Sequence, residues 1–183
     1  DMGKSTITVY ECGENLRAGE KVVFFSYEYC QSIIYKKLVS HFAITWSELM
    51  NLNIVDASNL NLQTLVSYVK AKRGNVDIVY VDYLDILKKT SFTEAKDEAE
   101  NLAQIREICT VLADLARELN IPIVLLSQVG ASSDFEKAVE RLNAFTEKIE
   151  HKNVVKMFIG KGNIIDPRID INDIVHIILV DGY

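Results

Sequence analysis

Four short stretches of this sequence set polar, chemically useful residues beside apolar runs. At the start, Gly3-Lys4-Ser5-Thr6 matches the tail of the phosphate-binding pattern G-x-x-x-x-G-K-[ST], without the first Gly of that pattern. Such a tail presents backbone N–H groups to phosphate at a helix N-terminus. Lys4 would neutralise β- and γ-phosphate charge, the Ser5 hydroxyl would ligate Mg²⁺, and Thr6 would reach the α-phosphate. Asp82 closes the apolar run Ile78-Val79-Tyr80-Val81. A carboxylate at the carboxyl end of a buried parallel strand faces the ligand crevice and can hold Mg²⁺ through water. Glu28 follows the run Val22-Val23-Phe24-Phe25, where a carboxylate can polarise an attacking water. Ser127-Gln128 closes Ile123-Val124-Leu125-Leu126, and an amide there can sense a γ-phosphate. Each feature alone also has an ordinary reading. GKST can be a capped helix start, Asp82 a solvated strand end, Glu28 a charge favoured by a helix dipole, and Gln128 a loop amide. Together, on successive strands of one sheet, they point to nucleotide hydrolysis.

The elements that must position these residues follow from the apolar pattern. Residues 4–17, 30–42 and 62–73 are predicted helices, with a short turn of helix at 45–50. Asn61 is a candidate cap for the third of these, and Gly74 its stop. Residues 22–25, 53–55, 77–82 and 123–127 are predicted strands; continuous rather than alternating hydrophobicity means burial on both faces, as in a parallel sheet. Residues 88–101 read as a polar stretch. From Leu102 to Leu119 the apolar positions recur at helical spacing, ended by Asn120 and Pro122. Ser133-Asp134-Phe135-Glu136 resembles a capping box before an amphipathic helix to Ile149. Residues 154–159 and 174–180 are two further strands. Strands separated by helices imply an α/β layer fold with a mostly parallel sheet flanked by helices.

Composition narrows the class. The chain has 183 residues, 49% hydrophobic and 25% charged, enough for one domain with a real core and too apolar for a disordered segment. No run approaches the roughly 20 apolar residues of a membrane span. Three scattered cysteines, Cys12, Cys30 and Cys109, form neither a C-x-x-C pair nor an even set, against a disulfide scaffold or zinc ribbon. A net charge of −6 excludes a surface that is basic overall, though not basic loops within a channel. No secretion or lipidation signal is visible, so a cytoplasmic location is expected.

Several motifs carry a specific resemblance. Phe25-Ser26-Tyr27-Glu28, Val81-Asp82-Tyr83-Leu84 and Leu125-Leu126-Ser127-Gln128 resemble the successive F-S-L-E, [IV]-D-Y-L and [AL]-L-S-Q motifs of DnaB-type replicative helicases. Residues 107–128 are similar to that family throughout. Lys37 stands where the family usually has Arg, and Lys148-Ile149-Glu150-His151 resembles its S-I-E-Q. The resemblance covers essentially the whole chain, most strongly residues 22–38 and 76–130, with phage helicases a natural comparison. It implies a RecA-like P-loop NTPase core, ATP and Mg²⁺ as cofactors, a homo-hexameric ring and ATP-driven translocation on single-stranded DNA with strand separation. Primase and helicase-loader partners, no membrane, and the cytoplasm (the host's, for a viral protein) belong to the same expectation. By position, Gly3, Lys4, Ser5 and Thr6 would bind nucleotide, with Ser5 and Asp82 at the metal. Glu28 would be the catalytic base and Gln128 the γ-phosphate sensor. Tyr83 and Leu84 read as packing.

The departures from the family pattern also shape the expectation. The family's basic K-x-R finger is unassigned, with Lys161 a poor substitute, and Lys148 is a weak candidate for DNA contact. The chain is expected to be a fragment over residues 1–183 that starts within the phosphate loop and lacks the N-terminal domain, weakly active in isolation. Two alternatives stay open: a recombinase- or clock-type RecA-like ATPase, and a non-hydrolysing RecA-like module that assembles or loads other proteins.

Overall fold

The computed structural model describes residues 4–128, 154–159 and 175–180. Its elements in chain order are α1 (Lys4–Arg17), β1 (Val22–Ser26), α2 (Gln31–Phe42), α3 (Trp46–Leu49), β2 (Leu52–Asp56) and α4 (Leu62–Ala71). They continue with β3 (Ile78–Asp82), α5 (Leu84–Ser91), α6 (Glu98–Leu119), β4 (Ile123–Gln128), β5 (Val154–Ile159) and β6 (Val175–Val180). The strands form one sheet in the order β2-β1-β3-β4-β6-β5. The first four are mutually parallel, while β6 runs antiparallel to β4 and to β5.

Every residue of β1 and β3 is buried. The pleat sends alternate side chains to opposite faces, so each strand feeds two cores. Val23 and Phe25, Val79 and Val81, and Ile123 and Leu125 pack with Leu65 and Val69 of α4, Leu84 and Leu87 of α5, and Ile108 and Leu112 of α6. Val22 and Phe24, Ile78 and Tyr80, and Val124 and Leu126 pack with Val9, Cys12 and Leu16 of α1, Ile34 and Leu38 of α2, and Leu49 of α3. The result is a three-layer α/β arrangement. Phe24 and Tyr80 stack with ring centroids 5.8 Å apart, and the Tyr80 hydroxyl accepts a 2.5 Å hydrogen bond from Asn15 Nδ2.

The sequence pattern and the structure differ in one region. Part of the stretch read as polar, from Lys88 onward, belongs to α5, and α6 starts at Glu98, a turn before the first apolar repeat. The outer half of α5 has no apolar signal because its Thr90 and Ser91 hydroxyls turn back onto the helix. Thr90 Oγ1 donates to Leu87 O at 3.0 Å and Ser91 Oγ to Leu87 O at 2.5 Å. The first turn of α6 is polar for a different reason: Asp97 accepts the Glu100 N–H at 2.8 Å, and Glu98 and Glu100 sit at the positive end of the dipole. The helix closes on Asn120, whose φ of 55° is left-handed. The helix expected over residues 135–149 lies outside the described residues.

Burial sets the stability contrast. Ile108 is fully buried against the sheet, and Ile108→Ala should cost about 2–5 kcal/mol. Lys70→Ala breaks only a half-exposed ion pair to Glu118 and should cost no more than about 1 kcal/mol. Denaturant melts of the two variants beside the parent check both values.

Candidate functional site

Parallel strands share their carboxyl ends at one edge, and β1, β3 and β4 are adjacent. Ser26 pairs with Asp82 in register, and the ladder runs one residue further through the Tyr27 N–H, which donates to Asp82 O at 2.8 Å. Asp82 continues the Ile78–Tyr80 row, so its carboxylate lies on the α1–α2 side of the sheet, only 1% exposed. Gln128 is the last residue of β4, at the same carboxyl edge.

The direction of α1 brings a further element to this edge. Its carboxyl end meets the amino edge of the sheet, where Asn51 Nδ2 donates to Gly19 O at 3.4 Å and the Val22 N–H to Asn51 O at 2.8 Å. The helix is 14 residues long and packs along β1 and β3, so its first turn, Lys4 to Thr6, comes to the carboxyl edge. Gly3 and Lys148 lie outside the described residues, as does Lys161.

Glu28 stands exposed in the turn between β1 and α2. Ser26 Oγ closes that turn: it donates to Tyr29 O at 2.6 Å and accepts the Tyr29 N–H at 3.2 Å. The residues on either side of Glu28 enter opposite layers. Tyr27 is buried in the α4–α6 core, its hydroxyl donating to Leu60 O at 3.2 Å. Tyr29 packs on the α1–α2 core, with Lys37 Nζ 4.8 Å from its ring centre. Tyr83, at the N-cap position of α5, links the carboxylates. Burial raises its phenol pKa, and the negative charges of Asp85, Glu28 and Asp82 raise it further. Glu28 and Asp82 therefore act on a common point.

The structure thus brings Asp82, Glu28, the end of β4 and the first turn of α1 to one edge. Ser26, Tyr27 and Tyr83 are site residues that sequence reasoning missed. Tyr83 lies between Asp82 and Asp85 in sequence, a signal that could have marked it. Leu84 is packing, 1% exposed. Hard oxygen donors at Asp82 suit a cation such as Mg²⁺, which takes one or two protein carboxylates and completes its shell with water and phosphate. In keeping with that, no three His, Cys, Asp or Glu side chains form a metal cage among the described residues.

Comparison with known proteins adds three findings. Residues 40–142, more than half of the chain, match the model of the DnaB-like helicase C terminal domain. The chain is similar to the replicative DNA helicase DnaB of Haemophilus influenzae, 24% identical over 87% of this chain and 44% of that protein. It is 25% identical to that of Pasteurella multocida over the same shares, so it spans less than half the length of these relatives. Among solved structures, a helicase ATPase domain matches with a TM-score of 0.53 at 19% identity, over 90% of this chain and 75% of that one, a likeness of fold.

The cysteines give a chemical probe of the site. Cys30, two residues past Glu28, is exposed, and its thiol is held below the usual range by the Ser32 hydroxyl, 3.1 Å away, and by the Ile33 N–H. Burial pushes Cys12 and Cys109 up to about 12. Thiolate is the reactive form, so iodoacetamide at pH 8 should label Cys30 in the folded protein and spare the other two. Peptide mass mapping checks this, and unfolding should equalise all three.

Proposed function

The chain belongs to the DnaB-like helicase C-terminal domain family, and from that premise we propose that it is the ATPase core of a replicative DNA helicase. The observation that carries the reading is the pairing of a buried Asp82 with an exposed Glu28 at the carboxyl ends of adjacent parallel strands. Such ends of open α/β sheets are where ligands bind.

In this reading Lys4 and the N–H groups of the first turn of α1 hold the phosphates of ATP, with Gly3 and Thr6 beside them. Ser5 and Asp82 hold Mg²⁺, which when bound offsets the charge that builds up on the phosphates. Glu28 accepts the proton of the water that attacks the γ-phosphorus, and its exposure lets that water reach it. Gln128, at the end of the neighbouring strand, senses the γ-phosphate. The energy of hydrolysis drives translocation on single-stranded DNA by a ring of six copies, with primase and loader proteins as partners in the cell interior. Lys148 is a candidate DNA contact. No helix among the described residues is long and apolar enough to cross a membrane.

Two substitutions in the full-length protein test the division of roles. Asp82→Asn should weaken Mg²⁺-dependent nucleotide binding. Glu28→Gln should leave binding intact and slow turnover about 10²–10⁴-fold, the usual share of a general base. Fluorescent nucleotide titration and phosphate release measure the two effects, and unchanged turnover in Glu28→Gln would remove the proposed base. A net charge of −6 offers little non-specific attraction to DNA. DNA-stimulated turnover should therefore rise steeply with assembly when measured against protein concentration alongside sedimentation. Full stimulation of a sedimenting monomer would contradict the ring.

A further inference from the structure

The residue before Glu28 departs from the F-S-L-E pattern: it is Tyr27, so this chain adds a phenol hydroxyl where the motif has an aliphatic side chain. We infer that Tyr27 is a positioning residue whose hydroxyl, anchored on Leu60 O, fixes the placement of Glu28. The inference rests on the reading of Glu28 as the base.

Three observations support it. First, Tyr27 is held at both ends. Its backbone N–H donates to Asp82 O at 2.8 Å and its hydroxyl to Leu60 O at 3.2 Å. One residue therefore joins the end of the strand that carries Asp82 to the loop ahead of α4. Second, the acceptor is itself fixed. Leu60 O also accepts Thr90 Oγ1 at 2.7 Å, the Leu60 N–H donates to Ala57 O at 2.9 Å, and the Ala57 N–H donates to Ser26 O at 2.9 Å. The chain of bonds leaves β1 at Ser26, passes through residues 57–60 and returns through Tyr27. Glu28 is the next residue out. Third, Tyr27 is only 6% exposed, and burial raises its phenol pKa well above the ordinary value, so it stays a donor over the working pH range.

The geometry restricts what Glu28 can do. Ser26 and Tyr29 close the turn on the α1–α2 side, and Tyr27 anchors it on the α4–α6 side. With both sides held, the carboxylate moves chiefly by rotation about its own side-chain bonds. Without the hydroxyl, residue 27 keeps its ring in the core but loses the bond that sets how far the turn stands from Leu60. The loss falls on the position of the base rather than on the phosphate-binding groups.

The test is Tyr27→Phe in the full-length protein, with Glu28→Gln and the double variant beside it. DNA-stimulated turnover is read as kcat and KM for Mg²⁺-ATP, and single-turnover hydrolysis follows the slow variants. The aromatic ring is retained and Leu60 O keeps Thr90, so the thermal midpoint should stay near the parent's. Tyr27→Phe should lower kcat about 10-fold with KM unchanged, within the scale of about 10² that a 1 Å misplacement can cost. In the Glu28→Gln background the same change should have no further effect. Parental kcat in Tyr27→Phe, with Glu28→Gln slow, overturns the inference and leaves the reading of Glu28 standing. An equal loss in both backgrounds also overturns it, because the hydroxyl then acts on something other than the base. Parental turnover in Glu28→Gln overturns the reading of Glu28, and the inference with it.

Discussion

The pairing of β1 with β3 is the constraint on which the rest of the structure depends. Five consecutive residues pair in register, from Val22 with Ile78 to Ser26 with Asp82, and all ten are buried. A strand buried on both faces cannot slip by one residue, since the slip would exchange the side chains offered to the two cores. Phe24 would leave its stack on Tyr80, and Phe25 its edge contact with Tyr68. The register in turn sets where Asp82 stands relative to the residues that follow Ser26. The Tyr27 N–H bond to Asp82 O is the first consequence, and the placement of Glu28 is the second.

Much of this is legible in the sequence, for a definite reason. Strands such as Val22–Ser26 and Ile78–Asp82 must be apolar nearly throughout when helices cover both faces, and a continuous apolar run is hard to mistake. The polar residue that ends such a run is conspicuous for the same reason, which is how Asp82, Glu28 and Gln128 stand out. The register that aligns Ser26 with Asp82, by contrast, is a long-range property that no local pattern contains. Helix α5 escapes the pattern because its outer half satisfies itself with hydroxyls. The role of Tyr27 is hidden for a different reason: an aromatic residue beside an apolar run reads as core. It is indeed core, and only the partner of its hydroxyl, 33 residues away, distinguishes it.

The two cores also differ in what they hold. The α1–α2 side receives Asp82 and the helix whose first turn reaches the site. The α4–α6 side receives no candidate catalytic side chain among the described residues, but it holds the network of Tyr27, Leu60 and Thr90. Chemistry and support are thus separated by the thickness of the sheet. Tyr83 is the exception. It sits at the N-cap position of α5, packs against the α1–α2 core, and places its phenol within the influence of Asp82, Asp85 and Glu28.

Strands covered on both faces, as β1 and β3 are, leave only their ends for functional groups. The amino ends here are taken up by turns that satisfy the backbone. The Lys21 N–H donates to Asp77 Oδ2 at 2.8 Å, Gly19 turns at a φ of 84°, and the Asn51 carbonyl receives the first N–H of β1. At the carboxyl ends the chain departs into α2 and α5, and the departing segments diverge to opposite layers. Helix α2 begins at Gln31 and sends Ile34 and Leu38 into one core, while Leu84 of α5 enters the other. That divergence opens the crevice between β1 and β3, where the chain leaves neighbouring strands for opposite sides of the sheet. A carboxylate that must be buried and fixed, such as Asp82, fits the strand end itself. One that must meet water, such as Glu28, fits two residues past the end of β1, where the turn is held from both layers and its side chain is still exposed.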